Sequence, residues 1–233
     1  MGVYFCGLDP MVFLGLSGLL FLSAWVAGMV MFKRESDQDL KLVAQELGLQ
    51  HTPDGHAALL KSLKGYRLVA GNRFFIRVRN LWRGRYGRIS ASVFDLFFIK
   101  LGIYHKYSFF REDTELVVRA TLNTPKLPTF LLLPKKVFQA SDYEGIGSRV
   151  AFPNYPPFEE RFSVYGTDVD GIRKLFSGAV RSFCESRSSL TMEGRGDTLL
   201  MYEFFAFDLN VLDQKVAVIR ACLDVAVVID TEN

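Results

Sequence analysis

The sequence MVFLGLSGLLFLSAWVAGMVMF occupies residues Met11–Phe32 and contains no charged side chain. An α-helix rises about 1.5 Å per residue, so roughly 20 apolar residues cross a hydrocarbon core about 30 Å thick. The stretch therefore predicts one transmembrane helix near the start of the chain. The sequence that follows is mixed, charged and aromatic. It predicts a folded domain that the helix holds at a membrane surface.

The residues that flank this stretch predict its orientation. Residues 1–10 carry no Lys or Arg, whereas Lys33 and Arg34 follow the stretch directly. A secretory signal peptide has a basic start and an apolar core of about 7–15 residues, and this sequence has neither feature. Positive charge accumulates on the cytoplasmic side of membrane spans. We therefore predict a single-pass cell-membrane protein with residues 1–10 outside the cytoplasm and the C-terminal domain inside it.

The composition limits the class of protein. The chain has 233 residues, of which 49% are hydrophobic, so about 200 residues after the span can form one large domain or two small ones. A net charge of +3 is too small to indicate nucleic-acid binding by itself. Cys6, Cys184 and Cys222 are widely spaced and form no CxxC pair. We therefore predict no disulfide framework, no zinc site and a reducing compartment.

The chain after the span predicts an α+β fold in which antiparallel sheets pack against helices. Residues 33–142 predict a helical juxtamembrane segment followed by a β-meander subdomain. Residues 143–157 are rich in Gly, Pro and Tyr and predict a connection. Residues 158–233 predict an α+β subdomain. Six β-rich runs form the predicted meander: Tyr66–Ala70, Phe74–Leu81, Arg88–Ile99, Tyr104–Phe110, Glu115–Leu122 and Thr129–Leu133.

The second subdomain is predicted as a strand, a helix, a hairpin and a helix. Its first helix has apolar residues at i, i+3, i+4 and i+7 between Ile172 and Phe183. Its last helix carries Arg220 and Asp224 in the middle, where charge is costly in a bilayer, so we predict a core helix rather than a second span. The predicted elements are a strand over Phe158–Tyr165, the helix after Thr167-Asp168, strands over Leu190–Glu193 and Thr198–Phe205, and a helix over Val211–Ile229.

A series of six arginines with no acidic residue between them is the most pointed feature of the sequence. Arg77 and Arg79 share a strand face opposite Ile76 and Val78. The series predicts either a patch that binds anionic lipid headgroups, at roughly 1 kcal/mol per charge, or an ordinary solvated strand face. The candidate binding residues are Arg73, Arg77, Arg79, Arg83, Arg85 and Arg88.

Catalytic motifs are absent from the sequence. No GxSxG, GxxxxGK, HExxH or strand-following GxGxxG motif occurs, so we predict no catalytic residue, no metal site and no cofactor. An enzymatic alternative would have to use isolated residues, of which Asp95, His105 and Asp197 are the candidates. Asp197 ends the sequence Gly194-Arg195-Gly196-Asp197, which predicts a hairpin turn.

Several short motifs in the soluble part carry a family resemblance. They include Leu63-Lys64-Gly65-Tyr66, Val93-Phe94-Asp95, the segment from Leu127 to Pro134, Phe162 to Gly166, and Glu193 to Leu199. With these motifs the chain resembles a family of uncharacterised bacterial membrane-anchored proteins. Leu96-Phe97-Phe98 departs from the Tyr-rich sequence expected there. The resemblance implies a location in the bacterial inner membrane, and it carries no activity to transfer.

These observations predict a non-enzymatic membrane-anchored cytoplasmic module. Its expected partners are the bilayer, through residues 11–32, and either anionic lipid headgroups or a membrane protein, through the arginine series. We expect no nucleic-acid partner. Ala24 and Gly28 form a small-xxx-small pair, which either lets two copies of the span associate or reflects the ordinary composition of spans. The alternative function is an enzyme that acts at the membrane surface.

Overall fold

The computed structural model describes residues 41–42, 44–70, 73–104, 107–123, 126–135, 146–203 and 212–232. The predicted span over residues 11–32 lies outside these ranges. No helix within these ranges has the length and apolar character needed to cross a bilayer.

The described chain forms one nine-stranded sheet in which every pair of neighbours is antiparallel. The strand order across the sheet is β1-β2-β3-β4-β9-β8-β5-β7-β6. The strands are β1 (Gln50–His51), β2 (Arg73–Tyr86), β3 (Ile89–Tyr104), β4 (Tyr107–Thr121), β5 (Leu127–Pro134), β6 (Ser148–Val150), β7 (Phe162–Gly166), β8 (Leu190–Gly196) and β9 (Thr198–Glu203).

Besides the helical residues 41–42 and 44–46, the sheet is accompanied by helices and one 3-10 helix. The helices are α1 (His56–Ser62), α2 (Pro156–Arg161), α3 (Val169–Leu175), α4 (Gly178–Glu185) and α5 (Leu212–Glu232), and the 3-10 helix is Arg67–Val69. The architecture is therefore α+β with a large antiparallel sheet, as the sequence predicts. The strands form a single sheet rather than several, because β4 from the first predicted part pairs with β9 from the second.

The structure corrects several predicted element boundaries. Tyr66–Ala70 is not a strand, because its middle residues form the 3-10 helix. The two strands predicted between Tyr104 and Leu122 are one continuous strand, β4. Phe158 lies in helix α2, which starts with two prolines at a helix N-terminus, where a missing N–H costs little. The predicted final helix is confirmed as α5, which packs its apolar side chains into the core.

The sheet carries an apolar core on each face. On one face, helices α2 to α5 cover side chains from most strands, and this larger core includes five phenylalanines that meet ring to ring. On the other face, helix α1 and the 3-10 helix cover a smaller core around Phe94, Phe98 and Tyr202. We call these two sides of the sheet the large-core face and the small-core face.

Two β-bulges in β2 change which face its side chains occupy. The pairing of β2 with β3 shifts register between Phe74 and Arg77 and again between Arg79 and Trp82. At the centres of these shifts Phe75 and Asn80 adopt left-handed backbone conformations, with φ of 52° and 50°. Asn is among the non-glycine residues that tolerate this region best. A bulge inserts an extra residue, so the alternation of side chains is reset after it.

Glu203 is a buried acid at the end of β9, and its ionisation opposes folding. Burial raises the pKa of this carboxyl above its usual 4.5, although the charge of Arg187 and a hydrogen bond with Ser189 oppose the shift. The folded protein therefore holds the proton to higher pH than the unfolded chain does. The stability contributed by protonated Glu203 is complete below about pH 4.5 and is lost as the pH rises through the raised pKa.

We expect Glu203→Gln to raise the melting temperature at about pH 8 and to leave it nearly unchanged at about pH 4, because the amide has no charge to bury. Thermal unfolding of the two proteins across this pH range measures the effect. Glu160→Gln is the matched control, since Glu160 is exposed. A variant less stable than the parent at about pH 8 would contradict this account.

Candidate functional site

The six arginines proposed from the sequence do not form one surface. Arg77 and Arg79 lie on the large-core face, since Val78 between them packs into the small core. After the bulge at Asn80 the alternation is reset, and Arg83 lies on the small-core face with Arg85 two residues later. The shared face predicted for Arg77 and Arg79, opposite Val78, is confirmed. The structure does not bring all four of these arginines onto one face of the sheet.

Another member of the series, Arg88, has its partner in the last helix. Arg88 follows the β2–β3 turn and forms an ion pair with Asp230 of α5, with its Nε 2.9 Å from Oδ2. The Asp230 carboxylate is fully buried and also accepts a hydrogen bond of 2.6 Å from the backbone N–H of Asn123. Arg88 therefore attaches the C-terminal helix to the sheet. The side chain of Arg73 lies outside the described part of the structure.

Four arginines come together on the small-core face, two of which the sequence analysis did not select. Arg83 is in register with Ser92, and Ser92 is in register with Arg119. Two strand spacings separate the backbones of Arg83 and Arg119 by about 10 Å. On the far side of the same face, β8 contributes Arg195, its penultimate residue, which pairs with Thr198 of β9. We define the arginine face as Arg83, Arg85, Arg119 and Arg195.

The residues of the arginine face make no salt bridge with any described residue, whereas other arginines of the protein do. Arg119 is half-buried, donates from Nη1 to the Ser62 hydroxyl at 3.2 Å, and has a buried Nε without a hydrogen-bond partner in the described chain. Burial lowers the pKa of Arg119, and the positive charge of Arg83 adds to this effect, while Tyr66 and Asp197 oppose it. The face thus concentrates positive charge with little internal compensation.

A cleft of about 300 Å³ opens beside Arg195 at the edge of this face. The segment Gly65-Tyr66 forms one wall, and strand β8 forms another with Glu193 and Arg195. Thr129 and Thr167, at the ends of β5 and β7, supply exposed hydroxyl-bearing side chains to the lining. The cleft therefore combines hydroxyl groups, a carboxylate and a guanidinium.

Close packing fixes two walls of the cleft. A Cβ atom on Gly65 would lie 2.7 Å from the Arg195 guanidinium, so the absence of a side chain lets Arg195 lie across this segment. The Tyr66 hydroxyl donates to the Arg195 carbonyl at 3.4 Å. A Cβ atom on Gly194 would overlap the ring of Phe130, which lines the cleft. Burial raises the pKa of Tyr66 despite the nearby positive charges of Arg119 and Arg195.

Glu193 is the buried acid of the cleft, and its carboxylate is held by three donors. Its oxygens accept the backbone N–H groups of Arg67 at 2.7 Å and Leu68 at 2.8 Å, and the Tyr202 hydroxyl at 2.6 Å. Because Arg67 and Leu68 begin the 3-10 helix, the carboxylate provides acceptors for N–H groups that a helix start leaves unpaired. Glu193 therefore connects β8 to the segment that closes the small core.

The residues considered for an enzymatic site do not converge in the described structure. Asp95 lies opposite Arg79 in the β2–β3 pairing and accepts a hydrogen bond of 2.9 Å from Asn80. Asp197 is exposed in the β8–β9 turn and accepts a hydrogen bond of 2.9 Å from the Thr198 hydroxyl. His105 lies outside the described residues. Within those residues, no group of three His, Cys, Asp or Glu side chains is arranged to hold a metal ion.

Sequence reasoning missed Arg119 and Arg195 because each depends on long-range pairing. Arg119 reaches the face through the β3–β4 register, and Arg195 through the β8–β9 hairpin beside β4. One local feature of the sequence indicates that the arginine series is divided between the two faces of the sheet. Asn80 interrupts the alternation between Arg79 and Trp82, and Asn in a strand favours a bulge or turn.

Comparisons with known proteins bear on the fold. Neither a family model nor a curated protein matches this chain. The crystal structure of the mycobacterial trehalose monomycolate transport factor A, TtfA, is similar, with a TM-score of 0.53 and 15% sequence identity. The match covers 81% of this chain and 93% of that chain. At this identity the likeness shows a shared fold alone, which supports the α+β assignment.

Proposed function

We propose that this protein is a non-enzymatic module that binds anionic phosphate headgroups at a membrane surface through its arginine face. One observation carries the proposal: Arg83, Arg85, Arg119 and Arg195 share a sheet face without a salt bridge to any described residue. Guanidinium groups match the geometry of phosphate oxygens and stay protonated at any physiological pH. An anionic ligand would supply the charge that the face lacks.

The location of the protein is part of the same proposal. The apolar residues 11–32 would hold the domain on the cytoplasmic side of a bacterial inner membrane, within reach of its anionic leaflet. The family resemblance noted in the sequence supports this location. TtfA is named a trehalose monomycolate transport factor, and we take from this name the hypothesis that the present domain also handles an amphiphilic molecule.

The test is binding of soluble short-chain lipids to the full chain in a neutral detergent. We expect dioctanoyl phosphatidylglycerol, which is anionic, to bind more tightly than dioctanoyl phosphatidylcholine, and salt to weaken the difference. The double variant Arg83→Gln/Arg85→Gln removes two charges at roughly 1 kcal/mol each, so we expect about 30-fold weaker binding of the anionic lipid. Isothermal titration calorimetry measures both quantities.

Strand β2 provides a matched control for this variant. Arg77→Gln/Arg79→Gln removes the same number of charges from the same strand, but on the large-core face. We expect this control to change the affinity by less than about threefold, because only distant, screened charges are lost. Equal losses in the two double variants would overturn the assignment of the face. Equal affinity of the parent for the two lipids would overturn the proposed function itself.

A further inference from the structure

We infer that the cleft beside Arg195 binds a polyol group that is esterified to the phosphate held by the arginine face. The inference rests on the proposed function and specifies its ligand as a polyol phosphate, such as a glycerol or inositol phosphate ester. It assigns the hydroxyl-bearing part of that ligand to a site separate from the four guanidinium groups.

The position of the cleft relative to the arginine face is the first argument. Arg195 belongs to both, since it is a member of the face and lines the cleft. Tyr66 also lines the cleft, and the positive charges of Arg119 and Arg195 both act to lower the pKa of its hydroxyl. A phosphate beside Arg195 would therefore sit at the mouth of the cleft, and its substituent would enter it.

The chemistry of the lining is the second argument. Thr129 and Thr167 offer hydroxyl groups that donate and accept hydrogen bonds, as polyol hydroxyls require. A volume of about 300 Å³ is at the lower end of ligand pockets, which fits a small polar group rather than an acyl chain.

The charges around the cleft argue against the two other common headgroup chemistries. A second phosphate inside it would lie against the Glu193 carboxylate, which the protein already uses to hold the 3-10 helix. An ammonium group would have to lie beside the Arg195 guanidinium, and the Glu193 carboxylate that could offset this repulsion already accepts three hydrogen bonds. A neutral hydroxylated group avoids both penalties.

The experiment uses charge-matched probes with the full chain in a neutral detergent. Dioctanoyl phosphatidylmethanol has the same single negative charge as dioctanoyl phosphatidylglycerol but no hydroxyl group. We expect the glycerol lipid to bind five- to tenfold more tightly, the gain typical of one or two net hydrogen bonds. The isosteric variant Thr129→Val/Thr167→Val should abolish this preference and leave phosphatidylmethanol affinity unchanged.

Thr121→Val is the matched control, because Thr121 lies in β4 outside the cleft, two residues after Arg119. We expect it to keep the preference for the glycerol lipid. Equal affinities for the two anionic lipids, with phosphatidylcholine weaker than both, would overturn the polyol inference and leave the proposed function standing. A preference that survives in the double Thr variant would overturn the assignment to this cleft.

Competition with free glycerol 3-phosphate distinguishes the source of the ligand. Efficient displacement of the bound lipid indicates a soluble phosphate ester, and weak displacement indicates a lipid.

Discussion

Replacing Glu193 by Ala is expected to destabilise the protein by about 4 kcal/mol, because the carboxylate accepts three hydrogen bonds in a buried place. Hydrogen bonds to a charged group contribute about 1.5–3 kcal/mol each, and a buried donor left alone costs more than the lost bond. The Arg67 and Leu68 N–H groups and the Tyr202 hydroxyl would all lose this acceptor. Chemical denaturation followed by tryptophan fluorescence measures the loss.

Two further variants separate the contribution of the carboxylate from that of side-chain volume. Glu193→Gln keeps the shape but turns one acceptor into a donor, so we expect a loss of about 2 kcal/mol. Tyr202→Phe removes only one of the three donors, and a double-mutant cycle with Glu193→Gln measures their coupling. Exposed Glu160→Gln is the control. A Glu193→Ala variant within 0.5 kcal/mol of the parent would show that these three bonds contribute little.

Asp230→Ala is expected to cost about 3 kcal/mol, since it removes one charge-assisted hydrogen bond and one ion pair from a fully buried carboxylate. The variant would detach α5 from Arg88 at the β2–β3 turn and from the N–H of Asn123 after β4. We expect amide hydrogen exchange to quicken first at the C-terminal turn of α5, because that turn loses its link to the sheet. Denaturant unfolding gives the free-energy change.

Variants of two arginines, one in a buried ion pair and one in an exposed ion pair, test the role of Arg88. Arg88→Met leaves the Asp230 carboxylate without its charged partner, and breaking such a pair by one member costs about 3 kcal/mol or more. Arg149 pairs with Glu159 across 3.9 Å at the surface, so Arg149→Met should cost less than about 1 kcal/mol. Similar losses in the two variants would contradict the special role of Arg88. Its assignment to headgroup binding in the sequence analysis would then be open again.

The sequence predicts those parts of the fold that depend on local pattern. The hairpin predicted at Gly194-Arg195-Gly196-Asp197 forms between β8 and β9, although β8 continues to Gly196, and the helix predicted over Val211–Ile229 is present as α5. The apolar periodicity from Ile172 to Phe183 predicts one helix. The structure instead has two helices, α3 and α4, with a break near Phe176. Periodicity reports which face is buried, and it does not report a change of direction between two short helices.

The sequence does not predict which strands become neighbours. Strand β4 is followed in the chain by β5, yet its partner in the sheet is β9. Hydrophobic alternation is the same whatever strand lies alongside, so pairing is decided by packing over the whole domain. The candidate site depends on this pairing, because the four arginines of the face come from strands β2, β4 and β8. The same limit applies to Glu193, whose partners Arg67 and Leu68 lie more than a hundred residues away.

The pairing of β4 with β9 also determines the order in which this domain can fold. During synthesis the strands β2, β3 and β4 can associate as neighbouring hairpins, but Thr121 pairs with Thr198, near the end of the chain. Until β9 is made, β4 presents an unpaired strand edge that can join another chain. Pairing over such a sequence distance slows folding. A nascent chain of this protein therefore depends on protection of that edge until β9 has left the ribosome.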